Sequence, residues 1–194
     1  MAGRQAAVGA PFVGDGQDLL LAGKVTEPAA LDEDELQALH REVYGEADHG
    51  ASFIRQLRVW RRQQGFAPAE ACHGDYLVGF AAGMPLRPST SWWKGLTTPL
   101  PAAVATEHPG RTFALMNLLV RASLRRQGIA GSLHDLMLGG RPEERATVTV
   151  PPGATAAQAA FRNWGWNRVA RIREPHPGGP VLDVLVIALP ASRD

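Results

Sequence analysis

Residues Leu118–Leu138, LLVRASLRRQGIAGSLHDLML, decide how this chain is read. Phe113–Val120 is almost wholly apolar, as expected of a strand buried on both faces. Gly128–Leu138 has the apolar spacing of a helix, so RASLRRQ must connect strand to helix. An Arg-rich turn at that place, with glycine at its tightest point, brings several backbone N–H groups and the positive end of a helix dipole to one spot. Such a spot suits a phosphate. Arg125 and Arg126 add cationic reach, and Gly128 keeps a Cβ from standing between anion and backbone. The competing reading of the same residues is a solvated arginine cluster with a glycine that starts the helix.

Working outward, ATVTV (146–150) reads as the next strand, Thr155 to Trp164 as an Ala-rich helix, and 166–172 and 181–189 as two closing strands. Towards the N-terminus, Asp18–Thr26 is expected to form a first strand. LDEDELQALHREVYG puts Leu36, Leu39 or His40, and Val43 on one helical face, with Asp32 and Glu35 as a capping pair and Gly45 as a stop. A second helix is expected over Ser52–Gln64 from Phe53, Leu57 and Trp60, and a hairpin from Ala69–Cys72 and Tyr76–Met84 around His73-Gly74-Asp75. Pro85–Gly110 is longer than an ordinary connection, and stretches of that length tend to be functional or mobile. Its Trp92-Trp93-Lys94 suits either a stacked acceptor or, more often for paired aromatics, the pinning of the loop to the body. Residues 1–17 are Gly-rich and aperiodic and read as a flexible arm, leaving 18–194 as a single domain.

The composition is that of an ordinary soluble globular protein: 194 residues, 45 % hydrophobic and 20 % charged, the length of one domain. Twenty Lys+Arg against 19 Asp+Glu leave +1, which supplies no bulk attraction for nucleic acid or an anionic membrane. Arg55, Arg58, Arg61 and Arg62 have the acids Glu42, Glu46 and Asp48 near them and read as a solvated face. Cys72 has no second thiol for a disulfide or a zinc site, which fits a reducing cytosol. The six histidines lack metal-ligand spacing, so no metal is expected. No stretch approaches the ~18–20 apolar residues of a membrane helix.

The order of strand, RRQGIA, helix, ATVTV, AAQAAFRNWGW and terminal strand resembles the GCN5-related N-acetyltransferase (GNAT) family. That family's signature is Arg/Gln-x-x-Gly-x-Gly/Ala after the fourth strand, here Arg125-Arg126-Gln127-Gly128-Ile129-Ala130. The resemblance is firm from about Phe113 to Leu189 and looser from Asp32; residues 1–17 and 85–110 lie outside it. It implies a mixed, twisted sheet of about six to seven strands flanked by about four helices, splayed open between the strand ending at Val120 and Ala146–Val150. It further implies acetyl-CoA as cofactor. Backbone groups of Leu118 and Val120 would hold the pantetheine arm as an added strand is held, and Arg125, Arg126, Gln127, Gly128, Ile129 and Ala130 would hold the pyrophosphate. Trp164 and Trp166, flanking Gly165, match the family's aromatic corner.

Two departures bear on catalysis. Many members carry a Glu on the fourth strand and a Tyr four residues before the Gly of that corner, as base and acid. This chain has Asn117 and Phe161, neither of which transfers a proton. Ala154 also replaces an Asn common before the second helix of the motif. Three explanations stand: catalysis by positioning and polarisation alone; another acid or base among His108, His73, Tyr76 and Cys72; or a module that binds acyl-CoA or a protein partner without turnover. The expected function is transfer of an acetyl group from acetyl-CoA to a primary amine of a small molecule, in a bacterial cytoplasm. Neither nucleic acid nor membrane is an expected partner, and a homodimer is allowed.

Overall fold

The computed structural model describes residues 21–45, 50–176 and 178–190. The arm expected over 1–17 and the first residues of the expected opening strand lie outside them. The strands are β1 (Leu21–Val25), β2 (Ala67–His73), β3 (Tyr76–Pro85), β4 (Thr112–Val120), β5 (Arg145–Val150), β6 (Asn167–Arg173) and β7 (Val181–Ala188). The helices are α1 (Glu33–Tyr44), α2 (Gly50–Trp60), α3 (Ala102–Ala105), α4 (Ile129–Leu138) and α5 (Thr155–Asn163). One mixed seven-stranded sheet has the order β1-β2-β3-β4-β5-β7-β6 and is open. β4 and β5 run parallel; β1/β2, β2/β3, β5/β7 and β6/β7 are antiparallel. This is the architecture the sequence predicts, with α3 as an added single turn. The described chain divides into two compact units, one holding residues up to Met84 together with Asn117–Gly139, the other Pro85–Met116 and residues from Gly140 onward.

In the first unit, Asp32 caps α1 by accepting the N–H groups of Asp34 (2.9 Å) and Glu35 (3.0 Å), and Gly45 ends it at a φ of 64°. Leu36 and Leu39 of α1 join Phe53, Ile54 and Leu57 of α2 in a core with Leu77, Phe80 and Leu119. Full burial of each such side chain stabilises by roughly 1.5–3 kcal/mol. The predicted β2–β3 hairpin forms, closing on Gly74-Asp75 with His73 opposite Tyr76 and Gly74 at a φ of 58°. Helix α4 buries Ile129, Leu133 and Met137, one turn apart in succession. A Cβ at Gly79 of β3 would lie 3.0 Å from Leu133 Cδ1, 3.1 Å from the Leu119 carbonyl oxygen and 3.2 Å from Ile129 Cγ2. Glycine there lets α4 and the end of β4 close on β3.

In the second unit β4 pairs with β5 through Thr112↔Arg145, Phe113↔Ala146 and Ala114↔Thr147, where the register ends. The 85–110 stretch is stitched down. Leu96 bridges Ile172, Thr97 donates its N–H to the Arg171 carbonyl (2.9 Å), and the Gly95 carbonyl accepts from Arg173 (2.9 Å), so these residues run along β6 like a short extra strand. Trp93 packs with Ala170, Ile172, Leu182 and Val184. Its indole N–H meets the Glu107 carboxylate at 2.8 Å, and Trp92 donates to Thr147 Oγ1 at 3.3 Å. The aromatic pair pins the segment.

Candidate functional site

The connection from β4 to α4 is shaped by two left-handed residues. Arg126 has a φ of 65° and is the one non-glycine with positive φ among the described residues; Gly128 follows at 81°. Left-handed residues in a turn direct successive N–H groups to one side, forming an anion-binding concavity. Helix α4 begins at Ile129 with no side-chain cap, and its first internal bond is from the Ser132 N–H to the Gly128 carbonyl (3.0 Å). Among the described residues nothing accepts from the N–H groups of Gly128, Ile129 or Ala130. Arg125, Arg126, Gln127 and Gly128 are exposed, Ala130 is half-buried, and Ile129 turns into the core. A Cβ at Gly128 would meet nothing within 4 Å, so the Cβ side of this glycine is open. The turn therefore fits an anionic group such as a pyrophosphate. The φ of 81° favours glycine at position 128.

Strand β4 leads into this turn. Met116, Asn117 and Leu118 are half-buried between buried neighbours. The Asn117 Oδ1 is buried without a hydrogen-bond partner, an orphan acceptor inside an otherwise apolar strand. The Val120 carbonyl takes a long contact from Arg125 Nε at 3.4 Å.

No protein-family model and no curated protein matches the sequence. Solved structures do match in three dimensions. The ribosomal-protein-S18-alanine N-acetyltransferase of Escherichia coli aligns with a TM-score of 0.59 at 15 % identity, covering 89 % of this chain and 96 % of that one. Aminoglycoside 6'-acetyltransferase type Ii gives 0.62 at 15 % identity over 86 % and 96 %. NAA60 of Arabidopsis thaliana, in complex with acetyl-CoA, gives 0.62 at 15 % identity over 87 % and 98 %. The fold is that of the GNAT acetyltransferases.

On this GNAT fold the expected site residues Asn117, Leu118, Val120 and Arg125 to Ala130 lie together in the first unit, along the end of β4 and the turn after it. Phe161 belongs to the second unit. There it is buried on α5, with the rings of Trp164 and Trp166 edge-on to it at 5.3 and 5.2 Å. Ala154 is the N-cap of α5 and offers no side-chain bond.

The alternative acids and bases fall in different settings. His108 is exposed, with Nε2 3.5 Å from Glu144. His73 is exposed beside the hairpin turn, and Tyr76 carries the Arg121 guanidinium 4.1 Å above its ring. Burial, with Glu70 as a lesser cause, pushes the Cys72 thiol up. Among the described residues no group of three or more His, Cys, Asp and Glu is placed to hold a metal ion, and no helix is long and apolar enough to cross a membrane.

Two residues beside the turn escaped the sequence reading. Arg121, the first residue after β4, is buried and donates from Nε to the Leu77 carbonyl at 2.6 Å. Glu42, read as part of a solvated acidic surround, instead pairs with Arg121 and accepts the Ala122 N–H at 2.9 Å. No motif links residues this far apart in sequence. The predicted arginine face of α2 is partly neutralised: Arg58 and Arg61 both bind Glu33, and that contact, chiefly the Arg58 hydrogen bond, holds the Glu33 carboxyl below its ordinary range.

Proposed function

We propose that this protein transfers an acetyl group from acetyl-CoA to a primary amine of a small molecule. The observation that carries the proposal is the turn Arg125–Ala130, whose unclaimed N–H groups and two exposed guanidinium groups suit the CoA pyrophosphate. In this reading Arg125, Arg126, Gln127, Gly128, Ile129 and Ala130 bind the pyrophosphate, and backbone groups of Leu118 and Val120 hold the pantetheine arm. Asn117 and Phe161 are the residues assigned to the reacting end. The amine nitrogen bonds to the acetyl carbon as the carbon–sulfur bond breaks, and the displaced amine proton ends on the CoA sulfur. With neither Asn117 nor Phe161 able to exchange that proton, holding the reactants in attack geometry supplies most of the acceleration.

The cofactor is acetyl-CoA, with no resident metal. The acceptor is a small amine, of the general kind that aminoglycoside 6'-acetyltransferase type Ii takes. The engagement of Arg58 and Arg61 by Glu33 disfavours a nucleic-acid partner, and the lone thiol of Cys72 suits the reducing cytoplasm of a bacterium. Residues 18–194 acting as one domain, and a homodimer as its assembly, belong to the same proposal.

A second reading has its own observation: Asn117 and Phe161 lack transferable protons, as expected of a GNAT-fold module that binds acyl-CoA or a protein partner without turnover. Calorimetric titration with acetyl-CoA, followed by thiol-release assays with an aminoglycoside, a polyamine and a peptide beginning with alanine, separates the two. Binding with thiol release on a small amine is the expected result. Binding without release on any amine selects the second reading, release on the peptide alone moves the acceptor to proteins, and no binding removes both.

A further inference from the structure

Within the first unit the side chain of Glu42 does two things at once. One carboxylate oxygen pairs with the Arg121 guanidinium, and the other accepts the Ala122 N–H at 2.9 Å. Arg121 is fixed by more than this pair: its Nε donates to the Leu77 carbonyl at 2.6 Å, and its guanidinium lies 4.1 Å over the Tyr76 ring. Ala122 opens the short 3₁₀ turn Ala122–Leu124, and Arg125 closes it by donating its N–H towards the Ala122 carbonyl at 3.5 Å. Helix α1, itself anchored by Leu36 and Leu39, thus grips the chain at the point where β4 gives way to the turn.

We infer that Glu42 is a positioning residue for the anion-binding turn. It holds Arg121 and Ala122 against α1 so that Arg126 and Gly128 keep the left-handed geometry that shapes the turn. This rests on the acetyl-CoA reading of the turn. The physical case is that the turn holds a left-handed arginine at a φ of 65°, a strained conformation that persists only where neighbouring structure over-determines it. A carboxylate that satisfies a backbone N–H and a buried guanidinium together supplies that constraint, because charge-assisted hydrogen bonds are roughly twice as strong as neutral ones. Glu42 touches no reacting atom in this account; its effect is confined to the part of the ligand held by the turn.

The test compares acetyl-CoA, titrated calorimetrically, with acetyl-pantetheine, which lacks the pyrophosphate and nucleotide and is titrated by NMR. Glu42→Ala is expected to weaken acetyl-CoA about tenfold, a loss of about 1.4 kcal/mol, and to leave acetyl-pantetheine within about twofold of wild type. Glu42→Asp keeps the charge, shortens its reach and guards against a misfolded alanine variant; it is expected to show a smaller loss, again for acetyl-CoA alone. Glu42→Gln keeps an acceptor for the Ala122 N–H but removes the charge that pairs with Arg121, so its loss of acetyl-CoA affinity is expected to lie between wild type and Glu42→Ala. Equal weakening of both ligands would make Glu42 a general structural residue and overturn the inference, as would unchanged acetyl-CoA affinity in Glu42→Ala. A wild-type protein that binds acetyl-pantetheine and acetyl-CoA equally removes the pyrophosphate role of the turn and Glu42's role with it. Wild-type protein that binds neither removes the acetyl-CoA reading itself.

Discussion

Trp166 meets Phe161 edge-on, ring centroids 5.2 Å apart and planes 78° from parallel. With Trp164 at 5.3 Å and 82°, the two indoles fix the Phe161 ring at the end of α5, each pair contributing about 0.5–1.5 kcal/mol beyond its buried area. If Phe161 stands by the leaving sulfur, Phe161→Tyr supplies a proton donor there. Well-aligned general acids contribute ~10²–10⁴-fold, so a several-fold rise in kcat is expected even for poor alignment. An unpartnered buried hydroxyl costs about 1–3 kcal/mol, so Tm should fall at the same time. Steady-state kinetics showing unchanged kcat in a folded variant would take Phe161 out of the reacting end.

Asn117 carries a buried oxygen with no donor. Leaving such an acceptor unsatisfied costs about 1–3 kcal/mol, and Asn117→Leu removes it while keeping the same branched side-chain shape. The variant is expected to be more stable, by roughly 2–4 °C in Tm for each kcal/mol recovered, while losing turnover. A lower Tm in thermal denaturation would show that the amide is structural.

At Gly128 two effects separate. Gly128→Ala meets no neighbouring atom, so its stability cost is that of forcing an L residue to a φ of 81°, about 1–2 kcal/mol. Gly128→Glu adds a carboxylate before the same N–H groups and is expected to abolish acetyl-CoA binding in a protein that stays folded by circular dichroism. Calorimetry with unchanged affinity for the Glu variant contradicts the pyrophosphate assignment.

Trp93 donates to Glu107, whose side chain is wholly buried and also receives Thr112 Oγ1 (3.0 Å) and Arg145 Nη2 (2.9 Å). Hydrogen bonds to charged groups contribute about 1.5–3 kcal/mol, so Trp93→Phe is expected to lower stability by that order in urea denaturation. Removing Ser89–Thr98 takes away the segment paired along β6 as well. Its main expected effect is destabilisation of the second unit, measurable as a fall in Tm, rather than a selective rise in the acceptor KM.

Cys72 is half-buried, and desolvation raises its thiol above the ordinary value. At about pH 8, near the ordinary thiol pKa of ~8.5, the folded protein should hold less thiolate than a free cysteine and react several-fold more slowly with iodoacetamide. Unfolding in guanidinium should erase the difference. Equal rates for folded protein and free cysteine would show that burial does not protect the thiol.

Much of this fold is written in local signals, because periodicity, caps and turn residues act over a few positions. Asp32 and Gly45 bound α1, Gly74 closes the hairpin, and the apolar run before RRQGIA forms β4 followed by α4. The place of the turn, with its exposed arginines and its glycine, is legible for the same reason: a strand-to-helix junction is set by consecutive residues. Element ends were less so, with α2 stopping at Trp60 where the pattern of apolar residues allows Gln64.

What depends on residues distant in sequence was decided by tertiary structure alone. Nothing near Glu42 signals that it meets Ala122, 80 positions away, and nothing near Trp93 names Glu107 as its partner. The 85–110 stretch has no periodicity because its order comes from bonds to β6 and to a buried carboxylate, not from its own backbone pattern. The orphan oxygen of Asn117 is likewise a property of its surroundings, since an amide's need for a donor is fixed by its chemistry but the donor's presence or absence is fixed by packing. Sequence alone determined the order of elements and the place of the turn. The tertiary structure decided which side chains hold that turn in shape, because such contacts arise only when the chain brings remote residues within hydrogen-bond reach.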